Sequence, residues 1–551
     1  MKLRGCVLAI LWLTFPASPV RAQHQHGTQG APSSPATLIA GLGSLHHPIA
    51  TTSDEAQKFF DQGLTFVYAF NHREAVRSFE RAAELDPNSP MPYWGKALAL
   101  GPNYNEVQPD REKAAYDAIQ KARSLAASVS ESEREYVDAL AHRFTNDPKP
   151  DYDHLGRAYA SAMRDLYNRY PDDPDAATLF AESLMDLHAW DLWTSDGKPG
   201  ENTPEIVSVL EGTLQRWPDH VGANHFYIHA MEASPYPERA LPSAQRLGAM
   251  VPAAGHLVHM PAHIYVRTGD YEAAVKSNQQ AVAVDDTYRR SMTTNNMTYT
   301  VMYSEHNLHF LASAAMMDGD FDTASRAARE LELRAKAVVA DMDGAEAFMP
   351  MPAFALLRFG RWDDVLALPE PDAKLNGLTL VWHYARGCAF AEKGDVTKAG
   401  LERTAMEATY KQIQPGIAFG MMNNDWDTIH DLAVDTLDAR IATARRDLPG
   451  AIEKWRAAVA VQDRMRYNEP SDWFYPVRES LGAALLSSGQ AEEAEHIFRD
   501  DLQKNPRNPR SLFGLWKSLE AQNRTADAQW VRTSFEAAWK GGPEVPHLAD
   551  F

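Results

Sequence analysis

Seven histidines lie between positions 225 and 309: His225, His229, His256, His259, His263, His306 and His309. Their spacing is helical. His225/His229 and His259/His263 stand four apart, His256/His259 and His306/His309 three apart. Residues so spaced share one face of a helix, and two imidazoles on one face can chelate an ion. Imidazole suits zinc, copper, iron and nickel. Copper and zinc are the metals an exported chain commonly meets, so copper or zinc is the expected cofactor. Glu232, three residues after His229, adds a carboxylate that can serve as ligand or as general base. His256 and His263 are roughly 10 Å apart along a helix axis, at about 1.5 Å per residue, so one ion is not expected to take both. The set predicts two ions, or one ion with a histidine-rich surround.

Other chemistries lack their residues. The chain holds two cysteines, Cys6 and Cys388. Cys6 falls in an apolar leader, so neither an intramolecular disulfide nor a thiolate metal cluster is available to the mature chain. There is no phosphate loop, dinucleotide fingerprint, nucleophile elbow or His-Glu-x-x-His motif. The paired Glu-x-x-His pattern of helical di-iron bundles is absent, because His229-x-x-Glu232 runs in the reverse order and has no second copy.

Several isolated residues invite weaker readings. His46 and His47 precede the first helical segment and read as turn residues or as extra ligands folded over a groove. His24 and His26 read as part of a flexible tail. His188, with Trp190 and Trp193, reads as aromatic packing or substrate stacking. The loop with Asn103, Tyr104 and Asn105 reads as a groove edge. His383 reads as core. Residues 421–427 (MMNNDWD) resemble a polar loop, since a calcium loop's glycine and final glutamate are missing.

The elements that would position these side chains are helices. After residue 45 the chain is rich in Ala, Leu, Glu, Arg and Gln at helical spacing, with Pro and Gly at segment ends. Residues 56–89 carry Gly63, Phe66, Ala75, Phe79, Ala82 and Pro87. This frame resembles the 34-residue tetratricopeptide repeat. It recurs with its alanine at 240, 274, 324, 399, 451, 494 and 528. Segments 254–286 and 480–506 are good copies. The period breaks over 101–220, and insertions are expected at 194–204 and near 287–303. The resemblance implies an all-α, right-handed solenoid of nine or ten helical hairpins. It further implies that four positions of each first helix line the concave face. Aligned on Ala240, Ala274 and Ala324, all seven histidines and Glu232 take such positions. The frame was set by alanine, not by histidine. The resemblance is informative for fold and nearly silent on function.

The chain has 551 residues and a formal net charge of −20. The acidic excess argues against nucleic acid as a partner. Met1–Ala22 has a basic start, a short apolar run and a small-residue cleavage site, so it reads as a signal peptide. Its removal leaves no segment of membrane-spanning length, so a periplasmic or secreted location is expected. The expected organisation is a flexible leader over 23–45, N-terminal hairpins over 46–130 and irregular hairpins with an insertion over 131–220. The histidine-rich repeats span 221–335, central hairpins 336–470 and C-terminal hairpins 471–551. Three functions compete: a metal site with enzymatic chemistry, a metal-free scaffold holding a peptide or protein segment in its groove, and metal sequestration or delivery.

Overall fold

The computed structural model describes residues 36–105, 111–291, 299–419, 423–542 and 546–551. The signal-like segment and residues 23–35 of the expected leader lie outside the described residues. Residues Pro32–Phe551 form one compact unit. Among the described residues the structure is helical, with two isolated β-bridges, Trp193 with Pro199 and Ala418 with Asp425. No described helix is long and apolar enough to cross a membrane.

Successive helices pair as hairpins. Asp54–Tyr68 packs on His72–Leu85, Glu305–Asp318 on Phe321–Val338, Asn376–Glu392 on Val396–Tyr410, and Arg478–Ser487 on Ala491–Lys504. First helices also touch the next first helix, as Asn376–Glu392 does Trp426–Ala444. This is a tetratricopeptide-like helical solenoid. The alanines at 75, 240, 274, 324, 399, 451, 494 and 528 are all buried. Their small side chains let paired helices close. Phe79 is wedged between Gly63 and Gly95, and Phe498 between Gly482 and Gly514, each pair so close that a Cβ would strike the ring. Second helices start at a repeated corner. Gly269, Gly319 and Gly394 turn the chain at positive φ, and Asp270, Asp320 and Asp395 then accept from the first backbone N–H groups.

Two stretches where the repeat period breaks are largely helical. The region over 131–220 is built of ordinary helices, Glu131–Ala141, Tyr152–Arg169, Pro174–Leu187 and Thr203–Arg216, each packed on the next. Unequal helix and linker lengths hid the period. The expected insertion near 287–303 is partly helical: Tyr271–Ser291 runs into it, and Thr300–Ser304 forms one π-helical turn at its end.

The interior is also filled rather than open. Tyr271 Oη donates to the Pro506 carbonyl at 3.2 Å, Arg358 pairs with Glu479, and Arg466 reaches Asp191 at 3.3 Å. Helix Asp54–Tyr68 touches Val221–Glu232. One apolar core runs from Ala36 to Tyr303 and a second from Ala262 to Phe551. The histidine helices stand where the two overlap.

Candidate metal centre

Three first helices carry the histidines. Val221–Glu232 is buried along its whole length and presents His225, His229 and Glu232. The second is broken: Gly255–His259 ends at Met260, and Pro261–Thr268 resumes. Pro261 cannot donate a backbone hydrogen bond, so the ladder is interrupted there. The break still leaves His259 and His263 side by side. Glu305–Asp318, preceded by the π turn, carries His306 and His309.

Six of the seven histidines meet as two triads. His225, His229 and His256 offer ligand atoms within 4.8 Å of one another, as do His259, His263 and His306. In the first triad His225 Nε2 faces His256 Nε2 at 3.1 Å. In the second His259 Nε2 faces His263 Nε2 at 2.8 Å. The triads adjoin: ring centroids are 5.8 Å apart for His229 and His263, and 5.9 Å for His256 and His259. His256 thus joins one triad and His263 the other. His309 belongs to neither; its ring packs against Phe348 at 5.3 Å, and burial pushes its pKa down to about 4.

Partners behind the rings determine which nitrogen faces inward. His225 Nδ1 donates to the Tyr68 carbonyl at 2.6 Å. His259 Nδ1 donates to Asn278 Oδ1 at 2.6 Å, and that amide is oriented by its own donation to the Ala274 carbonyl. His229 Nδ1 donates to Glu232 Oε1 at 3.0 Å. A neutral imidazole with a proton on Nδ1 has only a lone pair on Nε2. His225 and His259 therefore aim lone pairs into the triads, and His229 turns its Nε2 the same way. The Nε2 of His229 is buried without any hydrogen-bond partner, as is Nδ1 of His256. Burial, with neighbouring histidines, holds His225, His256, His259 and His306 well below the usual imidazole pKa. These are neutral donors.

Glu232 joins the two triads. Besides His229 it touches His263, whose Nδ1 lies 2.6 Å from Glu232 Oε2 and 2.6 Å from Glu469 Oε2. Those three atoms are buried and too poorly aligned for regular hydrogen bonds, so the contact is ionic. Burial opposes charge on every member, yet the pairing overrides it for two of them. Glu232 is held at about 2 by His229 and His263, and His263 is lifted to about 10 by Glu232 and Glu469. Burial dominates at Glu469, pushing it up to about 7. Both nitrogens of His263 face acceptors, so each side needs a proton or another cation. Glu232, expected as ligand or general base, lies against His229 and His263, and with His263 and Glu469 it forms a third group whose ligand atoms lie within 4.8 Å of one another.

Aromatic rings enclose the cluster. Phe70 stacks on His229 and His256 with centroids 5.7 and 5.5 Å apart. Tyr104 and Trp190 pack on His229, Tyr303 on His256, and Phe310 on His259 and His263. Phe70 and Trp190 hold left-handed φ values of 53° and 61°, a strained conformation that persists only under tertiary constraint. The Tyr104 loop does edge the site, with Asn105 donating to Tyr303 Oη at 3.1 Å.

The remaining candidates lie elsewhere. His47, read as a turn residue or extra ligand, is buried on Asp175 at 2.8 Å, where Tyr68 and His220 also converge. His46 meets Asp61 in solvent. His188 is half-buried near Glu201, and His383 half-buried on Glu402. Asn424, in the 421–427 loop, donates to the Arg466 carbonyl and Asp472, while 421 and 422 lie outside the described residues. His24 and His26 lie outside them too. Glu469 had no signal in the sequence, being an isolated carboxylate far along the chain. Tyr68 acts through its backbone carbonyl, which residue type cannot reveal.

No protein-family model matches the chain, and no curated protein does. Solved structures with some likeness include the human IFIT1 dimer with m7Gppp-AAAA, at 12% identity and a TM-score of 0.33, covering 89% of this chain and 91% of that one. Another is the TPR domain of P58(IPK), at 11% identity and a TM-score of 0.21, covering 81% of this chain and 99% of that one. At such scores nothing about function carries over.

Proposed function

We propose that the chain is an exported metalloprotein with a two-ion centre. His225, His229 and His256 hold one ion, and His259, His263 and His306 hold the other. The observation that carries this is the pairing of His259 Nε2 with His263 Nε2 at 2.8 Å, behind which Asn278, Glu232 and Glu469 occupy the opposite nitrogens. Facing nitrogens so arranged need a proton or a metal ion between them, and three imidazoles converging there suit the metal. The unpartnered His229 Nε2 makes the same demand of the first triad, since a buried lone pair without a partner costs about 1–3 kcal/mol.

Six imidazoles with no thiolate suit copper first and zinc second. A copper pair would supply one-electron and dioxygen chemistry, and zinc would activate water. The chain's own part is to fix the rings, exclude solvent and balance charge through Glu232 and Glu469. Five of the six histidines are buried and His306 is half-buried, which leaves a peptide lying in the groove little imidazole to contact and suits a resident ion better than a cargo for delivery. The signal-like segment Met1–Ala22 supports export.

Elemental analysis of the full chain tests this reading. Two equivalents of copper or zinc are expected, with about one remaining in the His259→Ala/His263→Ala variant. A metal-free protein whose melting temperature ignores added copper and zinc would overturn it, because a ligand of the native state must stabilise that state.

A further inference from the structure

Asp175 stands one step behind the first triad. It is 4% exposed and lies in the first turn of helix Pro174–Leu187. Three donors converge on its carboxylate. Tyr68 Oη donates to Oδ1 at 2.6 Å, His220 Nε2 donates to the same oxygen at 3.0 Å, and His47 Nδ1 donates to Oδ2 at 2.8 Å. His220 carries its proton on Nε2, because its Nδ1 accepts from the Ala223 backbone N–H at 3.1 Å. By spacing alone His47, Asp173 and Asp175 could hold an ion. Their atoms are already bonded otherwise. Asp173 Oδ1 accepts from the backbone N–H groups of Asp175 and Ala176 at 2.9 and 3.2 Å, and its Oδ2 accepts from Tyr136 Oη at 2.9 Å. The cluster is a tether between elements.

Two of the three tethered side chains lead straight to the first triad. Tyr68 ends helix Asp54–Tyr68, where backbone carbonyls have no partner within the helix. Its carbonyl accepts from His225 Nδ1 at 2.6 Å. Two residues on, Phe70 stacks on His229 and His256. His220 is the N-cap of Val221–Glu232, the helix of His225 and His229. Gly222, in the first turn of that helix, lies so close to the Tyr68 ring that a Cβ would strike it. One carboxylate thus holds both sides of the His225 hydrogen bond: the helix that carries the ring and the helix end that offers the carbonyl. The second triad is supported elsewhere. Asn278 stands behind His259, and Glu232 and Glu469 stand behind His263. Glu232 is at the far end of the helix that His220 caps, roughly 16 Å along the axis from Val221 at about 1.5 Å per residue.

We propose that Asp175 is the positioning residue of the first triad, an assignment that rests on the metal-centre reading for the ion it serves. Through His220 it fixes where the His225 ring stands, and through Tyr68 it fixes which ring nitrogen faces the ion. With its proton held on Nδ1, His225 presents a lone pair on Nε2. A displaced carbonyl would free that proton to sit on either nitrogen, and the tautomer protonated on Nε2 has no lone pair to offer there. His47 is the third arm of the tether. It belongs to the chain before the first helix and leads to neither triad.

Two measurements on the full chain test this. The first needs no metal. In chelator-treated protein with nitrogen-15 histidine, the Nδ1–H signals of His225 and His259 are identified by their loss in His225→Gln and His259→Gln. Tyr68→Phe and Asp175→Asn should shift or broaden the His225 signal and leave that of His259 in place. His47→Ala should leave both. The second measurement is copper(II) affinity by chelator competition. In the His259→Ala/His263→Ala background, which keeps the first ion, Tyr68→Phe should weaken binding about tenfold. In the His225→Ala/His229→Ala background, which keeps the second, it should leave affinity unchanged. Tyr68→Phe is the deciding variant, since it removes one hydroxyl and leaves the carboxylate its two histidines. An unchanged His225 signal in Tyr68→Phe would overturn the proposal. So would equal weakening of both ions, or an equal response to His47→Ala. A His225 signal that responds, in a protein that takes up no copper or zinc, would leave Asp175's hold on the ring standing and remove the metal reading.

Discussion

At the scale of single residues, Glu232 has the least dispensable position. Its two oxygens serve His229 of one triad and His263 of the other. A carboxylate behind a ligating imidazole fixes the ring and raises its basicity, and losing it typically costs about 10–100-fold in metal affinity. Glu232→Gln should therefore weaken both ions together, by about that factor, in a chelator competition. Of the six clustered histidines Glu469 is paired with His263, its other oxygen accepting from Tyr467, so Glu469→Gln should weaken the second proposed ion and spare the first. Equal retention of both ions by Glu232→Gln would show that the residue does not bridge the triads. His309 shows the limit of residue type. It shares a helix face with His306, yet its ring packs against Phe348 rather than joining either triad.

At the scale of elements, the short helix Gly255–His259 depends on a neighbour. Asp285 lies against Gly255 so closely that any Cβ there would strike its carboxyl. It accepts from Tyr299 Oη at 2.8 Å and from Asn307 Nδ2 at 2.7 Å. Three elements are thereby clamped: the histidine helix, the π turn and the helix of His306. Burial raises Asp285 to about 7 in the folded chain, against an unfolded value of about 4. A carboxyl whose folded pKa is raised binds its proton more tightly when folded. Its contribution to stability is complete below about pH 4 and is lost as pH rises toward 7, by a few kcal/mol over that window. Asp285→Asn should abolish this component, flattening the melting temperature between pH 4 and pH 8 relative to the native chain. An unchanged slope in thermal melts across that range would show that Asp285 is not the group responsible.

At the scale of the whole molecule, closure of the solenoid is what separates it from an open scaffold. In an open array each repeat contacts only its neighbours. Here Arg358 and Glu479 pair while 121 residues apart, both buried, with Asn508 donating to the same carboxylate at 2.8 Å. Breaking such a pair from one side costs about 3–5 kcal/mol, because the remaining charge is stranded. Closure predicts a single cooperative melt for Pro32–Phe551, lowered as one transition when metal is removed. Free metal at a thousand times Kd would contribute about 4 kcal/mol. Calorimetry that resolves two independent transitions, only one of them sensitive to chelator, would contradict this.

Much of this was legible in one dimension. Repeat alanines such as Ala75, Ala324 and Ala494 marked where helices must pack, because a buried contact between helix backbones tolerates only a small side chain. The same frame put the histidines on one surface, since helical spacing is a local property that survives in the chain as written. Nothing local could say that Glu469 would arrive beside His263, that the Tyr68 carbonyl would orient His225, or that Phe70 would be held in a strained turn over the triads. Those contacts join segments tens to hundreds of residues apart, and the way the solenoid curls back on itself selects them. The sequence by itself determined a helical repeat with imidazoles on a shared face. Tertiary structure decided that six of the seven converge in two largely buried groups, because successive first helices pack side by side and the closed interior brings their distant partners within reach.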